Sequence, residues 1–115
     1  MNKSILIISL IILAGCSVSA GKYDDFAKCL TANDAKMYGA FWCPHCQNQK
    51  KSFGSSWQYV NYVECSLPDG RTQTEFCKAQ NIEGYPTWEF KDGSRLDGEV
   101  AFDVLAEKSG CPLPQ

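Results

Sequence analysis

Two cysteines separated by two residues, Cys43 and Cys46, are the strongest candidates for chemistry in this 115-residue chain. They lie in the sequence FWCPHC at positions 41–46, between an apolar segment and a polar segment of helical length. A helix that begins at Cys43 directs its unpaired N–H groups and the positive end of its dipole at that sulfur, which favours the thiolate. Cys46 then lies one turn further along, within reach of a disulfide. The pair is therefore predicted to exchange between dithiol and disulfide.

The two residues between these cysteines are predicted to support that chemistry. Pro44 suits the first turn of a helix, because the N–H that it lacks would have no partner there. His45 can stabilise a thiolate, especially when protonated, and a stabilised thiolate makes the disulfide a stronger oxidant. An exposed histidine without a role is the alternative.

Other chemistries suit the same residues less well. A zinc ribbon needs a second C-x-x-C pair, which the chain lacks, although a mixed zinc site of His45 with Cys65 or Cys77 remains an alternative. Haem attachment needs a histidine directly after the second cysteine, where this chain has Gln47. We therefore expect neither a metal ion nor another cofactor.

Composition limits the possible functions. The chain has 13 acidic and 11 basic residues without a basic run, which argues against nucleic acid as a partner. Seven cysteines in an exported chain this short indicate disulfides formed in an oxidising compartment. The length that remains after a leader is sufficient for one small domain.

The first residues are typical of an export signal. Lys3 precedes an apolar run at positions 5–13, which is shorter than the ~20 residues that span a bilayer. The sequence LAGC at positions 13–16 resembles the bacterial lipobox, so we predict a lipoprotein-type signal peptide at 1–15 and lipidation of Cys16. Ordinary cleavage after Ala20 is the alternative.

This assignment divides the remaining chain into a tether at 16–22, one domain at 23–111 and a tail at 112–115. It predicts a lipid-anchored protein in the bacterial periplasm or at the cell surface. Cleavage after Ala20 would instead give a secreted protein.

Hydrophobic spacing and turn residues predict the elements that position Cys43 and Cys46. Phe76 and Ala79 are expected to face inward from the third helix. Alternating strands and helices predict an α/β fold with a parallel core, closed by a hairpin, and hence a central mixed four-stranded sheet flanked by helices. Helices are predicted at 23–32, 43–53, 72–80 and 101–108, and strands at 36–42, 59–65, 87–90 and 94–97.

The motif residues resemble a known superfamily. Cys-Pro-His-Cys after aromatic residues resembles the active site of DsbA-type oxidases, and the sequence GYPT at positions 84–87 resembles the cis-proline loop of the thioredoxin superfamily. The resemblance implies a thioredoxin-like fold in which Pro86 lies beside the active cysteines and its loop offers backbone groups to the substrate. Trp42 and Tyr85 are predicted to form an apolar rim that holds unfolded substrate, with simple core packing as the alternative.

A closer similarity is to the thioredoxin-like domain fused to vitamin K epoxide reductase (VKOR) homologues in plants and bacteria. It is carried by residues 35–46, 62–65 and 84–88 and extends over nearly all of residues 23–110. In that family the domain takes electrons from folding proteins and passes them to the membrane enzyme, which reduces a quinone. Since the transmembrane part is missing from this sequence, the resemblance implies a partner in trans.

The same resemblance implies a disulfide between Cys65 and Cys77, with a redox relay couple as the alternative. Cys29 and Cys111 then remain, and we expect them to join the first helix to the C-terminal tail. Four cysteines allow three connectivities, so other pairings stay open. A buried free thiol at Cys29 is a further alternative.

One position departs from thioredoxin. Where thioredoxin has a buried acid that handles protons, six residues before the first active cysteine, this chain has Met37, and its predicted strand contains no acid. The departure favours an oxidase, because the second cysteine lacks a nearby base.

The residues and the resemblance together predict an extracytoplasmic thiol–disulfide oxidoreductase. It would donate disulfides to folding proteins and be reoxidised by a quinone-linked membrane enzyme of VKOR or DsbB type. Disulfide reduction or isomerisation is the alternative direction. A non-catalytic lipoprotein, with its C-x-x-C pair as a structural bridge or zinc clasp, is the alternative of another class.

Overall fold

The computed structural model describes residues 21–115 of the chain. The predicted signal peptide, the lipidation of Cys16 and the cleavage after Ala20 lie outside the described residues. The elements in chain order are α1 (Asp24–Ala32), β1 (Lys36–Gly39), α2 (Pro44–Phe53), a 3-10 helix (Gly54–Tyr59), β2 (Tyr62–Glu64), α3 (Glu75–Ala79), β3 (Thr87–Glu89), β4 (Arg95–Asp97) and α4 (Phe102–Ser109).

These elements surround a four-stranded mixed sheet in the order β2-β1-β3-β4. This confirms the predicted α/β fold with a thioredoxin-like arrangement. Strand β1 pairs in parallel with β2, but β3 runs antiparallel to β1, so the expected parallel core is confined to one strand pair. Strand β3 starts beside Tyr38, at the end of the sheet where β2 finishes, and runs back along β1.

Strand β1 is covered on both faces, as predicted for a central strand. Met37 faces a large core cluster formed with α1, α2, α4 and β3, whereas Tyr38 faces a smaller cluster under α3. The alternation follows from the period of two in a strand. Cys43 and Cys46 belong to the large cluster, which anchors the start of α2 to the body of the domain.

Some predictions about the elements are wrong. The second strand begins at Tyr62 and the third helix at Glu75, rather than at positions 59 and 72, and residues Gly54–Tyr59 form a 3-10 helix. Phe76 is 55% exposed and Ala79 is also exposed, because α3 turns the buried Cys77 inward instead. The first strand ends at Gly39 rather than at Trp42. The chain leaves the sheet at Ala40, whose carbonyl accepts the Cys43 N–H in a turn at 3.0 Å.

Two disulfides join the elements: Cys29 to Cys111, and Cys65 to Cys77, with Cα–Cα distances of 5.8 Å and 5.5 Å. These are the pairs expected from the sequence. The first links α1 to the segment after α4, and the second links the end of β2 to α3. Within residues 21–115, no helix combines the length and apolar character needed to cross a bilayer.

Candidate active site

Cys43 is the N-cap residue of α2, with φ −78° and ψ 122°, so the helix itself begins at Pro44. The extended conformation of Cys43 has a local cause, since a proline disfavours the helical region for the residue before it. The Cys43 carbonyl accepts the first helical hydrogen bond, from the Gln47 N–H at 3.0 Å. The Cys43 side chain is 7% exposed and lies where the helix dipole is positive.

Cys46 lies one turn further into α2 and is 5% exposed. Both active cysteines are free thiols in the structure. Burial, followed by the hydrogen bond to Cys43 and the negative charge of Glu64, raises the pKa of the Cys46 thiol to about 12. A hydrogen bond from the Ala40 backbone opposes this shift. Cys46 is therefore held as a neutral thiol.

The loop before β3 approaches Cys43 directly. The Cys43 thiol donates a hydrogen bond to the Tyr85 carbonyl at 3.6 Å, and the Tyr85–Pro86 peptide bond is cis. Pro86 is buried and Tyr85 is partly exposed. The structure thus places the Tyr85 carbonyl against Cys43, with the cis peptide bond to Pro86 directly after it; the family resemblance implies this position for Pro86.

An apolar rim lies on the same side of the site. Phe41 and Trp42 are 52% and 45% exposed, and the Trp42 ring meets the Tyr85 ring edge-on at 6.0 Å between centroids. The Trp42 indole N–H donates to the Ser66 hydroxyl at 3.0 Å, which fixes the ring although one face is open to solvent. Ser66 has no recognisable signal in the sequence.

His45 is an exposed residue paired with an acid. Its Nδ1 lies 2.7 Å from Oε2 of Glu99, in the segment before α4. Glu99 is 54 residues away in the chain, and nothing in its sequence context suggests this contact. The pair places an imidazole and a carboxyl group beside the first turn of α2.

Gln49 holds the buried side of α2 in place. Its neighbours in the sequence are polar, and they give no sign of this role. Its Oε1 accepts the Val100 N–H at 2.7 Å and the Trp88 indole N–H at 3.3 Å, and its Nε2 donates to the Val100 carbonyl at 3.1 Å. The side chain is 3% exposed. These bonds hold α2, and with it the two cysteines, against β3 and the segment before α4.

A pocket of about 270 Å³ lies beside Cys46. Tyr62 and Glu64 of β2 line its wall, and Lys50 of α2 also borders it. Burial and the nearby charge of Glu64 raise the pKa of the Tyr62 hydroxyl above its ordinary range. The sequence contains Tyr62 and Glu64 in a motif that supports the family resemblance, but gives no sign that they approach Cys46.

The remaining sequence candidates are elsewhere. Cys65 and Cys77 are fully buried in their disulfide, away from solvent. Within the described part of the chain, no group of three or more His, Cys, Asp or Glu side chains is arranged to hold a metal ion. The arrangement that the structure does contain is a buried dithiol, with one sulfur at a helix end and the other one turn further along the helix.

Comparison with known proteins identifies a similar protein. The chain is 48% identical over 94 residues to thiol-disulfide oxidoreductase LTO1 of Arabidopsis thaliana, and the match covers 77% of this chain. It covers 24% of the length of that relative. No protein-family model matches the chain.

Proposed function

We propose that this protein is an extracytoplasmic thiol–disulfide oxidoreductase that donates its Cys43–Cys46 disulfide to folding proteins. The observation that carries the proposal is the contrast between the two sulfurs. Cys43 lies at the N-terminus of α2, against the Tyr85 carbonyl, whereas Cys46 is a buried thiol of raised pKa. The name of the relative supports the same reaction class.

The contrast assigns the roles of the two cysteines. A helix N-terminus stabilises a thiolate and improves the sulfur as a leaving group. The two sulfurs are almost equally buried, but Cys43 lies at the helix end against the Tyr85 carbonyl, whereas Cys46 lies one turn further into α2 and has a raised pKa. Cys43 is therefore the sulfur that forms the bond to the substrate, and Cys46 closes or opens the internal disulfide.

The oxidising reaction has two steps. A substrate thiolate attacks Cys43 of the disulfide, the Cys43–Cys46 bond breaks, and Cys46 leaves and takes up a proton. A second substrate thiolate then attacks the substrate sulfur of the mixed disulfide and displaces Cys43 as a thiolate. The substrate gains a disulfide and the protein becomes a dithiol, so two electrons move to the protein.

Reoxidation needs an electron acceptor outside the described chain. The proposal assigns this step to a quinone-linked membrane enzyme of VKOR or DsbB type, which returns the pair to the disulfide. The structure contains two further disulfides, Cys29–Cys111 and Cys65–Cys77. Disulfides persist in oxidising compartments, so these bonds favour an extracytoplasmic location.

The exposed aromatic rim supports protein substrates rather than small thiols alone. Phe41 and Trp42 offer apolar surface next to Cys43, which suits the apolar side chains of an unfolded polypeptide. In the dithiol form, the Tyr85 carbonyl accepts a hydrogen bond from the Cys43 thiol. In the disulfide form that thiol proton is gone, so the carbonyl is free to accept a hydrogen bond from a substrate backbone N–H.

The test begins with the redox potential and ends with trapped substrates. Equilibration with glutathione buffers, followed by Trp fluorescence, should give a potential near or above that of the glutathione pool, and a value below about −300 mV would indicate an inert structural bridge. The oxidised protein should then introduce disulfides into a reduced, unfolded protein, and Cys43→Ser should abolish this.

Two further measurements separate the alternatives. Cys46→Ala should accumulate mixed disulfides through Cys43 with exported proteins, while Cys43→Ala should trap none. Faster reduction or isomerisation than oxidation of the same substrate would reverse the proposed direction. Stoichiometric zinc bound to the purified protein would instead support a metal clasp.

A further inference from the structure

The buried thiol of Cys46 has a polar route to solvent. The pocket beside it is partly open, and its wall carries Tyr62 and Glu64, with Lys50 also at its border. The ionisable groups that face Cys46 are therefore Cys43 at the N-cap of α2, Lys50 within α2, and Tyr62 and Glu64 from β2. Strand β1 contributes no acid, since Met37 is apolar and fully buried.

Gly39 borders both Cys46 and Tyr62. A Cβ atom added at Gly39 would lie 3.0 Å from the Cys46 sulfur and 3.3 Å from the Tyr62 hydroxyl oxygen. It would also lie 2.8 Å from a carbon of the Tyr62 ring, closer than real Cβ atoms approach. The Cys46 thiol and the Tyr62 hydroxyl therefore both border the space that the missing side chain of Gly39 leaves on the inner side of the pocket.

Glu64 is the carboxylate of this pocket. It is partly buried, and its Oε2 accepts the Ser66 N–H at 3.1 Å, which fixes the side chain at the end of β2. Its charge contributes to the raised pKa of both Cys46 and Tyr62. The phenol therefore stays protonated, and can donate a hydrogen bond while it accepts another.

We propose that Glu64, acting through the Tyr62 hydroxyl, exchanges a proton with Cys46 during disulfide exchange; this assignment rests on the proposed function. When the internal disulfide forms, the Cys46 proton passes to the Glu64 carboxylate, and the Cys46 thiolate attacks Cys43 of the mixed disulfide. The Cys43–Cys46 bond forms and the partner leaves as a thiolate. In the opposite direction the Cys46–Cys43 bond breaks, and protonated Glu64 supplies the proton to Cys46.

Two roles for Glu64 predict opposite results. If its charge merely disfavours the Cys46 thiolate, Glu64→Gln lowers the pKa of Cys46 and accelerates closure of the disulfide. If Glu64 is the base, the same variant slows closure, because a thiol with a pKa of about 12 is ionised to only about one part in 100,000 at neutral pH. The direction of the rate change therefore distinguishes general-base catalysis from electrostatic repulsion.

The experiment uses the reduced protein and an aromatic disulfide that releases a coloured thiolate. Attack by Cys43 releases the first thiolate, and closure by Cys46 releases the second. Since the aromatic thiolate leaves without a proton, the Cys46 proton is the only one that closure must move. Both releases are followed by stopped-flow absorbance from about pH 6 to about pH 8.

We expect Glu64→Gln to slow the second release at least about tenfold at pH 7, leaving the first unchanged. In Glu64→Gln, the rate of the second release should rise about tenfold per pH unit. In the unmodified protein, the rate of the second release should change little with pH. Glu64→Asp should restore most of the rate, and Tyr62→Phe should lower it several-fold. Glu107→Gln, which removes an exposed acid from α4, should behave like the unmodified protein.

One contrary result is that Glu64→Gln and the unmodified protein give the second release at the same rate and with the same pH profile. That result would overturn the proton assignment and leave the proposed function intact. Faster release would do the same, in favour of electrostatic repulsion. If the unmodified protein gave no second release, the proposed function would fail and this assignment with it.

Discussion

The Nδ1 atom of His45 lies 2.7 Å from Oε2 of Glu99, so the residue between the two active cysteines is joined to the segment that leads into α4. Both side chains are substantially exposed, and an exposed ion pair contributes little to stability. Its consequence is local, because a negative charge lies next to the imidazole that is expected to stabilise the Cys43 thiolate.

Replacement of Glu99 should make the protein a stronger oxidant. Glu99→Gln leaves the protonated imidazole without a compensating charge, so the Cys43 thiolate and the reduced form are stabilised. We expect the equilibrium constant with glutathione to shift threefold to tenfold, about 15 to 30 mV, towards a higher potential. The measurement is redox equilibration of Glu99→Gln and the unmodified protein at the same acidic pH, where imidazole is protonated.

A double-variant cycle identifies the route of this effect. His45→Ala alone should lower the potential. In that background, Glu99→Gln should change the equilibrium constant by less than about twofold. An equal shift with and without His45 would show that Glu99 acts on the cysteines through its own charge.

The hydrogen bonds of Gln49 should contribute strongly to stability. Gln49→Leu keeps the volume similar but leaves the Val100 backbone and the Trp88 N–H buried without partners. Each of these three buried groups costs about 1–3 kcal/mol when it is unsatisfied, so we expect a loss of at least about 3 kcal/mol in the free energy of unfolding. Urea denaturation measures the loss. Gln58→Leu, at an exposed position of the 3-10 helix, is the matched control and should lose less than about 0.5 kcal/mol.

The parts of the site that the sequence predicts are those encoded by neighbouring residues. Pro44 fixes the helix start and holds Cys43 in the extended conformation, and both effects act over one residue. Gln49 and Glu99 depend on which segments pack together after folding. Their partners lie 51 and 54 residues away, and a polar residue on a helix face gives no sign of such a partner.

The same distinction explains the error in α3. Helical spacing suggested that Phe76 faces inward, because a large apolar side chain is usually buried. The disulfide to Cys65 instead turns Cys77 towards the core, and in a helix this places its neighbour Phe76 on another face. A covalent constraint on a short helix thus outweighs the burial of one ring.

The two disulfides should stabilise the domain to different extents. Cys29–Cys111 encloses a separation of 82 residues and Cys65–Cys77 one of 12. Chain entropy assigns about 4.5 kcal/mol to the longer loop and about 3 kcal/mol to the shorter. We expect the double alanine variant of Cys29 and Cys111 to lose more stability in urea. Alanine at both pairs keeps the lost side-chain volume equal, and an equal or reversed order would contradict the loop-length argument.

The stability of the reduced protein should fall as the pH rises above about 9. Unfolding returns the pKa of the Cys46 thiol from about 12 to its ordinary value of 9.0, so between these two pH values the unfolded chain has lost a proton that the folded chain keeps. The free energy of unfolding therefore decreases with pH, by up to about 1.4 kcal/mol per pH unit, and is unaffected by this group below that range. Urea midpoints of the reduced protein at about pH 8, 9 and 10 measure the decrease. Reduced Cys46→Ala retains Cys43 and Tyr62, so it should decline less steeply, and parallel curves for the two proteins would show that Cys46 is not held neutral by burial.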